Sequence, residues 1–330
     1  TKHSAGFSPA YGTDALADRV KARFDEIFER ETAVFFTSTG TAANALALAN
    51  YNVPGAVAFC HREAHLREDE CGAPEFLAPG SRLRIVDGPD GKMSAKNLEV
   101  EINNVLDFGI SGGKPAFVSI TQATEAGTIH TLEEIDALAK VAHRHGLPVH
   151  MDGARFANAL VALGCSPAEM TWKNGIDVVS FGGSKNGCWC AEALVFMNPK
   201  HAEQFAFLHK RSGQVISKAR FIAAQFEAYF EDNLWLELAS HANDMAALLE
   251  NTINASNQLQ MAWQRQVNEV FVIADRLDFE KMQAAGAKLY DWPTPYGLEN
   301  QVADNKVIMR LVTSFATTPE EIKAFAHLTE

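Results

Sequence analysis

Short apolar runs recur at residues 34–36, 57–60, 83–86, 116–120, 148–151, 178–181 and 193–197. Each is too short for a helix and reads as a buried strand. Amphipathic stretches of helical length lie between them, at 14–30, 41–50, 132–145 and 155–163. This alternation predicts a mostly parallel central sheet covered by helices on both faces. Thr131 with Glu134 has the spacing of a capping box at the start of the 132–145 helix, and Gly146 followed by Pro148 ends it.

The pattern changes after about residue 205. A long helical stretch runs from Phe205 towards Glu250, interrupted near Ser212-Gly213. Residues 269–274 then alternate like a strand, and residues 307–312 form another strand candidate. The expected organisation is a large α/β domain over residues 1–234 and a smaller C-terminal α+β domain over 235–330.

A chain of 330 residues that is 47% hydrophobic and 21% charged has ample material for a core. Its 41 acidic against 29 basic residues leave a formal charge of −12, which would repel nucleic acid. The apolar runs fall short of a membrane span, and no basic-then-apolar leader opens the chain at Thr1-Lys2-His3. Five cysteines without a C-x-x-C pair suit reduced thiols, so a cytoplasmic protein is expected.

Chemistry concentrates at three places. In Thr37-Ser38-Thr39-Gly40-Thr41-Ala42-Ala43-Asn44, hydroxyl residues and a glycine stand between a strand and a helix. Free N–H groups at a helix start, with the hydroxyls of Thr39 and Thr41, make an anion cradle. The alternative is an ordinary capped turn. His150-Met151-Asp152-Gly153-Ala154-Arg155 delivers Asp152 at the end of an apolar strand, the edge where open α/β sheets hold ligands. A solvated ion pair is the alternative there. Finally, Phe181-Gly182-Gly183-Ser184-Lys185-Asn186-Gly187 ends a strand with a glycine-flanked lysine. A partly desolvated amine has a lowered pKa, as a Schiff-base lysine needs, although a lysine on a turn can also simply reach solvent.

Together these match the three handles of pyridoxal 5'-phosphate. Thr39, Gly40 and Thr41 would take the phosphate, Asp152 the pyridine nitrogen and Lys185 the aldehyde.

With these motifs in place, the chain resembles the threonine aldolase branch of fold-type-I pyridoxal-phosphate enzymes, and within it the phenylserine aldolases. The resemblance extends through Tyr11-Gly12-Thr13-Asp14, Asp69-Glu70-Cys71-Gly72-Ala73-Pro74-Glu75, Ser119-Ile120-Thr121-Gln122-Ala123-Thr124-Glu125 and Val312-Thr313-Ser314-Phe315-Ala316-Thr317-Thr318. It implies a fold-type-I transferase-like architecture and cleavage of an L-β-hydroxy-α-amino acid to glycine and an aldehyde. It also implies a homodimer or homotetramer with shared active sites.

By the same resemblance, Lys185 binds the cofactor, Asp152 partners its ring nitrogen, and His65 stacks on its face and takes the β-hydroxyl proton, directly or through water. Arg155 and Arg310 stand near the substrate carboxylate, a role suited to a bidentate fork, and Arg155 is also expected among the cofactor-binding residues. An arginine in a strand is equally an edge-strand charge. The basic cluster Lys210-Arg211 to Lys218-Arg220 resembles a segment that helps bind phosphate across the dimer interface, but it also reads as a solvated helix face. Two departures stand out. Many threonine aldolases have a second histidine where this chain has Ala123-Thr124-Glu125, and their N-terminal Ser-Asp-Asn stretch precedes Thr1.

Rival readings are a β-eliminating lyase or aminotransferase on the same scaffold, a zinc hydrolase and a non-catalytic scaffold. In His61-Arg62-Glu63-Ala64-His65 the two imidazoles are spaced i, i+4, but the glutamate is in the third position where H-E-x-x-H has it second. No metal is expected. Phe7, Tyr11 and Phe315 are candidates to favour a phenyl group, though phenylalanine more often fills a core.

Overall fold

A computed structural model describes His3, residues 5–297 and residues 302–329. Thr1 and Lys2 of the N-terminal sequence lie outside the described residues. The large sheet contains β1 (Ala33–Thr37), β2 (Ala56–Cys60), β3 (Arg82–Ile85), β4 (Lys114–Thr121), β5 (Val149–Gly153), β6 (Val178–Gly182) and β7 (Glu192–Phe196). Their order is β1-β7-β6-β5-β4-β2-β3. Only β7 runs against the rest, pairing antiparallel with both β1 and β6. β5, β6 and β7 are buried at every position, as strands covered on both faces must be. This is the mostly parallel α/β sheet expected from the apolar runs.

A second, antiparallel sheet follows. β8 (Leu259–Met261), β9 (Glu269–Asp275), β10 (Asp291–Trp292) and β11 (Lys306–Val312) are arranged in the order β10-β11-β9-β8. This sheet has its own apolar cluster, including Val270, Val272, Val307 and Met309. The helix Leu234–Ala255 serves both cores: Trp235 and Ala239 pack in the large one, whereas Ala246, Leu249 and Ile253 pack in the small one. No helix among the described residues is long and apolar enough to cross a membrane.

The capping box at Thr131 forms in both directions, with Glu134 N–H donating to Thr131 Oγ1 at 3.2 Å and Thr131 N–H donating to Glu134 Oε2 at 2.8 Å. The long helical stretch after Phe205 differs from its prediction. It is three helices, Phe205–Arg211, Arg220–Phe230 and Leu234–Ala255. The second break falls at Asp232 and Asn233, whose φ angles of 49° and 60° put consecutive residues in the left-handed region and turn the chain.

Phe181, at the end of β6, is fully buried among aromatic rings. Phe24 lies 5.3 Å away, Phe156 5.2 Å, and Phe230 and Trp235 5.8 Å each, centroid to centroid. The cluster anchors the strand that carries the Lys185 turn. Phe181→Ala is expected to cost about 3–5 kcal/mol from lost packing and the cavity left behind. Urea unfolding of the cofactor-free chain measures this; a loss below about 1 kcal/mol would show that the cluster closes over the gap.

Candidate active site

The sequence-predicted handles meet at the C-terminal edge of the large sheet. β5 ends with Asp152, and β6 leads through Gly182 and Gly183 into the turn Ser184–Asn186 that carries Lys185. A side chain at Gly182 could not be accommodated, because its Cβ would lie 2.9 Å from the backbone of Ala154. That close approach brings the Lys185 turn against the Asp152–Arg155 turn. On the same side of β5, beyond β6 and β7, β1 leads into Thr39, which caps the helix Gly40–Asn50, its Oγ1 accepting from Ala42 N–H at 3.1 Å. The N–H groups of Gly40 and Thr41 precede the first intrahelical hydrogen bond and stay available to an anion.

Asp152 is buried and held at both oxygens. Ala154 N–H donates to Oδ1 at 3.0 Å and Asn44 Nδ2 donates to Oδ2 at 2.7 Å. The same Asn44 amide donates to Glu70 Oε1 at 2.8 Å, and that oxygen also meets His65 Nδ1 at 3.0 Å. Glu70 raises the pKa of His65 through this hydrogen bond, against the opposing effect of burial. Burial raises the pKa of Glu70 itself. The sequence reading gave neither Asn44 nor Glu70 a role, although both lie inside its motifs.

Lys185 has a solvent-exposed face, and protein surrounds the rest of it. This desolvation lowers its pKa, and the nearby Arg155 adds to the effect, against the pull of Asp152, Glu269 and Glu125. Arg155 Nη2 lies 2.7 Å from Glu269 Oε1, and Arg310 Nη1 lies 3.7 Å from the same oxygen. The Arg310 guanidinium also sits 4.0 Å from the centre of the Trp292 ring. β11 pairs with both β10 and β9, so Arg310 lies on an interior strand. Glu269, which joins the two arginines, is fully buried, and burial raises its pKa. Its sequence signal is a carboxylate opening an otherwise apolar strand.

Two further carboxyls have strongly raised pKa values. Glu125 accepts from His65 N–H at 2.8 Å, and desolvation, followed by the charge of Asp152, pushes it to about 7. Glu192, mainly by burial, is also at about 7; it accepts from Ser184 N–H and stands behind Gly40.

Other predicted residues lie elsewhere. His61 is outside the short helix His65–Glu68, so the two imidazoles do not share a helix face; its Nε2 meets Gly88 O at 3.3 Å and its Nδ1 accepts from Glu63 N–H at 3.2 Å. The basic segment approaches the cradle of its own chain through Gln214, whose Oε1 accepts from Ser38 N–H at 3.0 Å and Ser38 Oγ at 3.1 Å. Lys210 sits over Tyr11. Phe7 is fully exposed, and Phe315 lies by Gly187 at the end of the Lys185 turn.

A cavity of about 420 Å³ opens beside the site, lined by Glu125, Arg62, Trp292, Pro293, Pro295 and Tyr296 among others. The sequence reading missed both its aromatic rings. A larger, more open groove of about 1210 Å³ on the Arg19, Trp189 and Phe230 face contains none of the site residues, so its size does not mark it as the site.

The profile of the family described as beta-eliminating lyase matches residues 5–276. Low specificity L-threonine aldolases from a Pseudomonas species and from Pseudomonas aeruginosa are each 40% identical to this chain, over 88% and 86% of its length and 83% and 82% of theirs. The chain belongs to the threonine aldolase branch of the beta-eliminating lyase family. A threonine aldolase structure from Leishmania major superposes with a TM-score of 0.90 at 27% identity, covering 99% of this chain and 92% of that one.

The cofactor of this branch is pyridoxal 5'-phosphate, and the donor set fits it. A fixed carboxylate suits a pyridinium N–H, an amine of lowered pKa suits an aldehyde, and an unblocked helix N-terminus suits a phosphate. A Cβ at Gly40 would meet only Glu192 Oε2, at 4.0 Å, which leaves the cradle open.

Since Glu70 is the main cause of the raised His65 pKa, Glu70→Gln is expected to lower it. The His65–Glu70 pair contributes to stability below the ordinary histidine range, and that contribution fades as pH rises through the raised value. Titration of the His65 ring protons by NMR checks this; an unchanged pKa in Glu70→Gln would assign the shift elsewhere.

Proposed function

We propose that this threonine aldolase family member cleaves L-β-hydroxy-α-amino acids to glycine and an aldehyde, with a preference for an aryl β-substituent of the phenylserine type. The observation that carries the reading is the convergence of Lys185, Asp152 and His65 at one strand edge, with Arg155 and Arg310 beside them. Homologues named low specificity L-threonine aldolases support the reaction class. The Trp292 and Tyr296 rings around the 420 Å³ cavity support the aryl preference.

When bound, the cofactor supplies an electron sink for bond breaking at Cα. Thr39, Gly40 and Thr41 would hold its phosphate, and Asp152 would keep a proton at its ring nitrogen. Lys185 would be the amine toward its carbonyl carbon, and its lowered pKa enlarges the neutral, nucleophilic fraction. His65, fixed by Glu70, would face the ring. Arg155 and Arg310 bind the substrate carboxylate from two sides, with Glu269 steadying both guanidinium groups from behind. That grip selects the Cα–Cβ bond for cleavage.

Exposed apolar side chains such as Phe7, Trp189 and Phe207 support assembly into a homodimer or homotetramer. Five free cysteines support a cytoplasmic location.

Lys185→Ala is expected to abolish turnover, measured as benzaldehyde release from L-phenylserine; normal turnover would overturn the assignment. Pyruvate and ammonia as the products would replace aldol cleavage with β-elimination. Trp292→Ala should lower kcat/KM for phenylserine about 10–100-fold more than for threonine, as expected from losing an apolar wall. An unchanged ratio would remove Trp292 from substrate selection.

A further inference from the structure

Glu125 is a carboxyl enclosed at the junction of the site and the aromatic-lined cavity. One face stays accessible. Its Oε1 accepts from the backbone N–H of His65 at 2.8 Å, so the carboxyl is fixed next to the residue assigned to the cofactor face. It also lines the cavity assigned to the β-substituent. Glu125 therefore lies between the cofactor face and the space assigned to the β-substituent.

We propose that Glu125, rather than the imidazole of His65, accepts the β-hydroxyl proton during Cα–Cβ cleavage. The inference rests on the aldol-cleavage reading and adds the identity of its base. The O–H bond breaks with its proton passing to a Glu125 oxygen, and the O–H electron pair becomes the second C–O bond of the departing aldehyde. The Cα–Cβ pair stays with Cα, which then takes up one proton from water to give glycine. Glu125 returns its proton to cavity water, so substrate atoms and electrons are all accounted for without an oxidant or reductant.

The surroundings separate the two candidate bases. Nδ1 of His65 is engaged with Glu70, which favours the cationic imidazole, and a cation has no lone pair to accept a proton. Glu125 feels Asp152, which opposes its ionisation, and the His65 charge, which favours it. Its charge in turn acts on Lys185 and Arg310 across the site. On the cavity side, the rim carries both signs, with Arg62 and Arg67 against Glu63, Glu68 and Asp69. The result is a carboxyl at about 7, ionised on the alkaline side and able to hold a proton on the acid side.

The test uses the cofactor-loaded enzyme and Glu125→Gln, Glu125→Asp and His65→Asn variants. Cleavage of L-phenylserine is followed against pH, together with exchange of the glycine α-proton into heavy water, a reaction at the same carbon that needs no β-hydroxyl base. Glu125→Gln is expected to lose about 10²–10⁴-fold in cleavage kcat/KM, the range for general-base catalysis, and to retain glycine exchange. The wild-type rise in kcat/KM through about pH 7 should vanish in Glu125→Gln, return in part in Glu125→Asp and persist in His65→Asn. In the cofactor-free chain, infrared difference spectroscopy should show a carboxyl titrating near pH 7 that is missing from Glu125→Gln. Glu125→Gln cleavage within about threefold of wild type, or a limb that disappears with His65→Asn instead, would overturn the assignment. Wild-type protein that exchanges glycine but cleaves no β-hydroxy amino acid would overturn the underlying reading.

Discussion

The site depends on the side-chain amide of Asn44. Asp152 and Glu70 are both buried, and two buried carboxylates facing one another without a shared donor would repel. The Asn44 NH₂ group donates to both, which lets each keep its place. Glu70 then fixes the His65 ring through Nδ1. Asn44 lies on the helix whose first turn is the anion cradle, so one rigid element positions the phosphate end, the ring-nitrogen partner and the face-packing imidazole. That helix is buried from Ala43 through Ala49, and packing on all sides prevents it from rotating.

Around this core, acids and bases are packed closely together. Burial raises the pKa of Glu70 and Glu269 and brings Glu125 and Glu192 to about 7. Lys185 is shifted the opposite way by the same desolvation. Glu125 and Glu192 can therefore exchange protons near neutral pH, which suits a site where protons must move. Fully charged, the same residues would be held apart by repulsion and solvation. Partly neutral, they can share a confined space.

The legible part of this arrangement was local. Apolar runs marked β1 to β7, strand ends marked Asp152 and Lys185, and a hydroxyl-rich turn marked the cradle, because each signal is contained in a few consecutive residues. Glu70, Glu125 and Glu269 were not assigned roles, because their function comes from convergence of distant segments in space. Glu269 looks like a charge at the start of a strand until Arg155 and Arg310 are placed on either side of it. The break at Asp232 and Asn233 was missed for another reason. Neither residue is glycine or proline, and although Asp and Asn tolerate the left-handed region, one Asp-Asn pair inside a helical pattern is a weak stop signal.

The small sheet contributes more than a cover. Arg310 and Glu269 come from β11 and β9, and Trp292 ends β10, whereas His65 opens a short helix after β2 and Glu125 lies in the loop after β4 of the large sheet. The segment after β10 is tied to the large sheet by Tyr296 N–H donating to Glu63 Oε1 at 2.7 Å and by the Arg62 guanidinium 4.0 Å from the Tyr296 ring. Arg62 is itself anchored by Asp87, with contacts of 2.6 and 2.8 Å. These ties fix the width of the cavity that would receive the β-substituent. The groups that would hold the cofactor lie on the other side, on the large sheet and its helices. Substrate selection and cofactor chemistry are thus built on different elements that meet at Glu125, bonded to His65, and at Arg310, which stacks on Trp292 and shares Glu269 with Arg155.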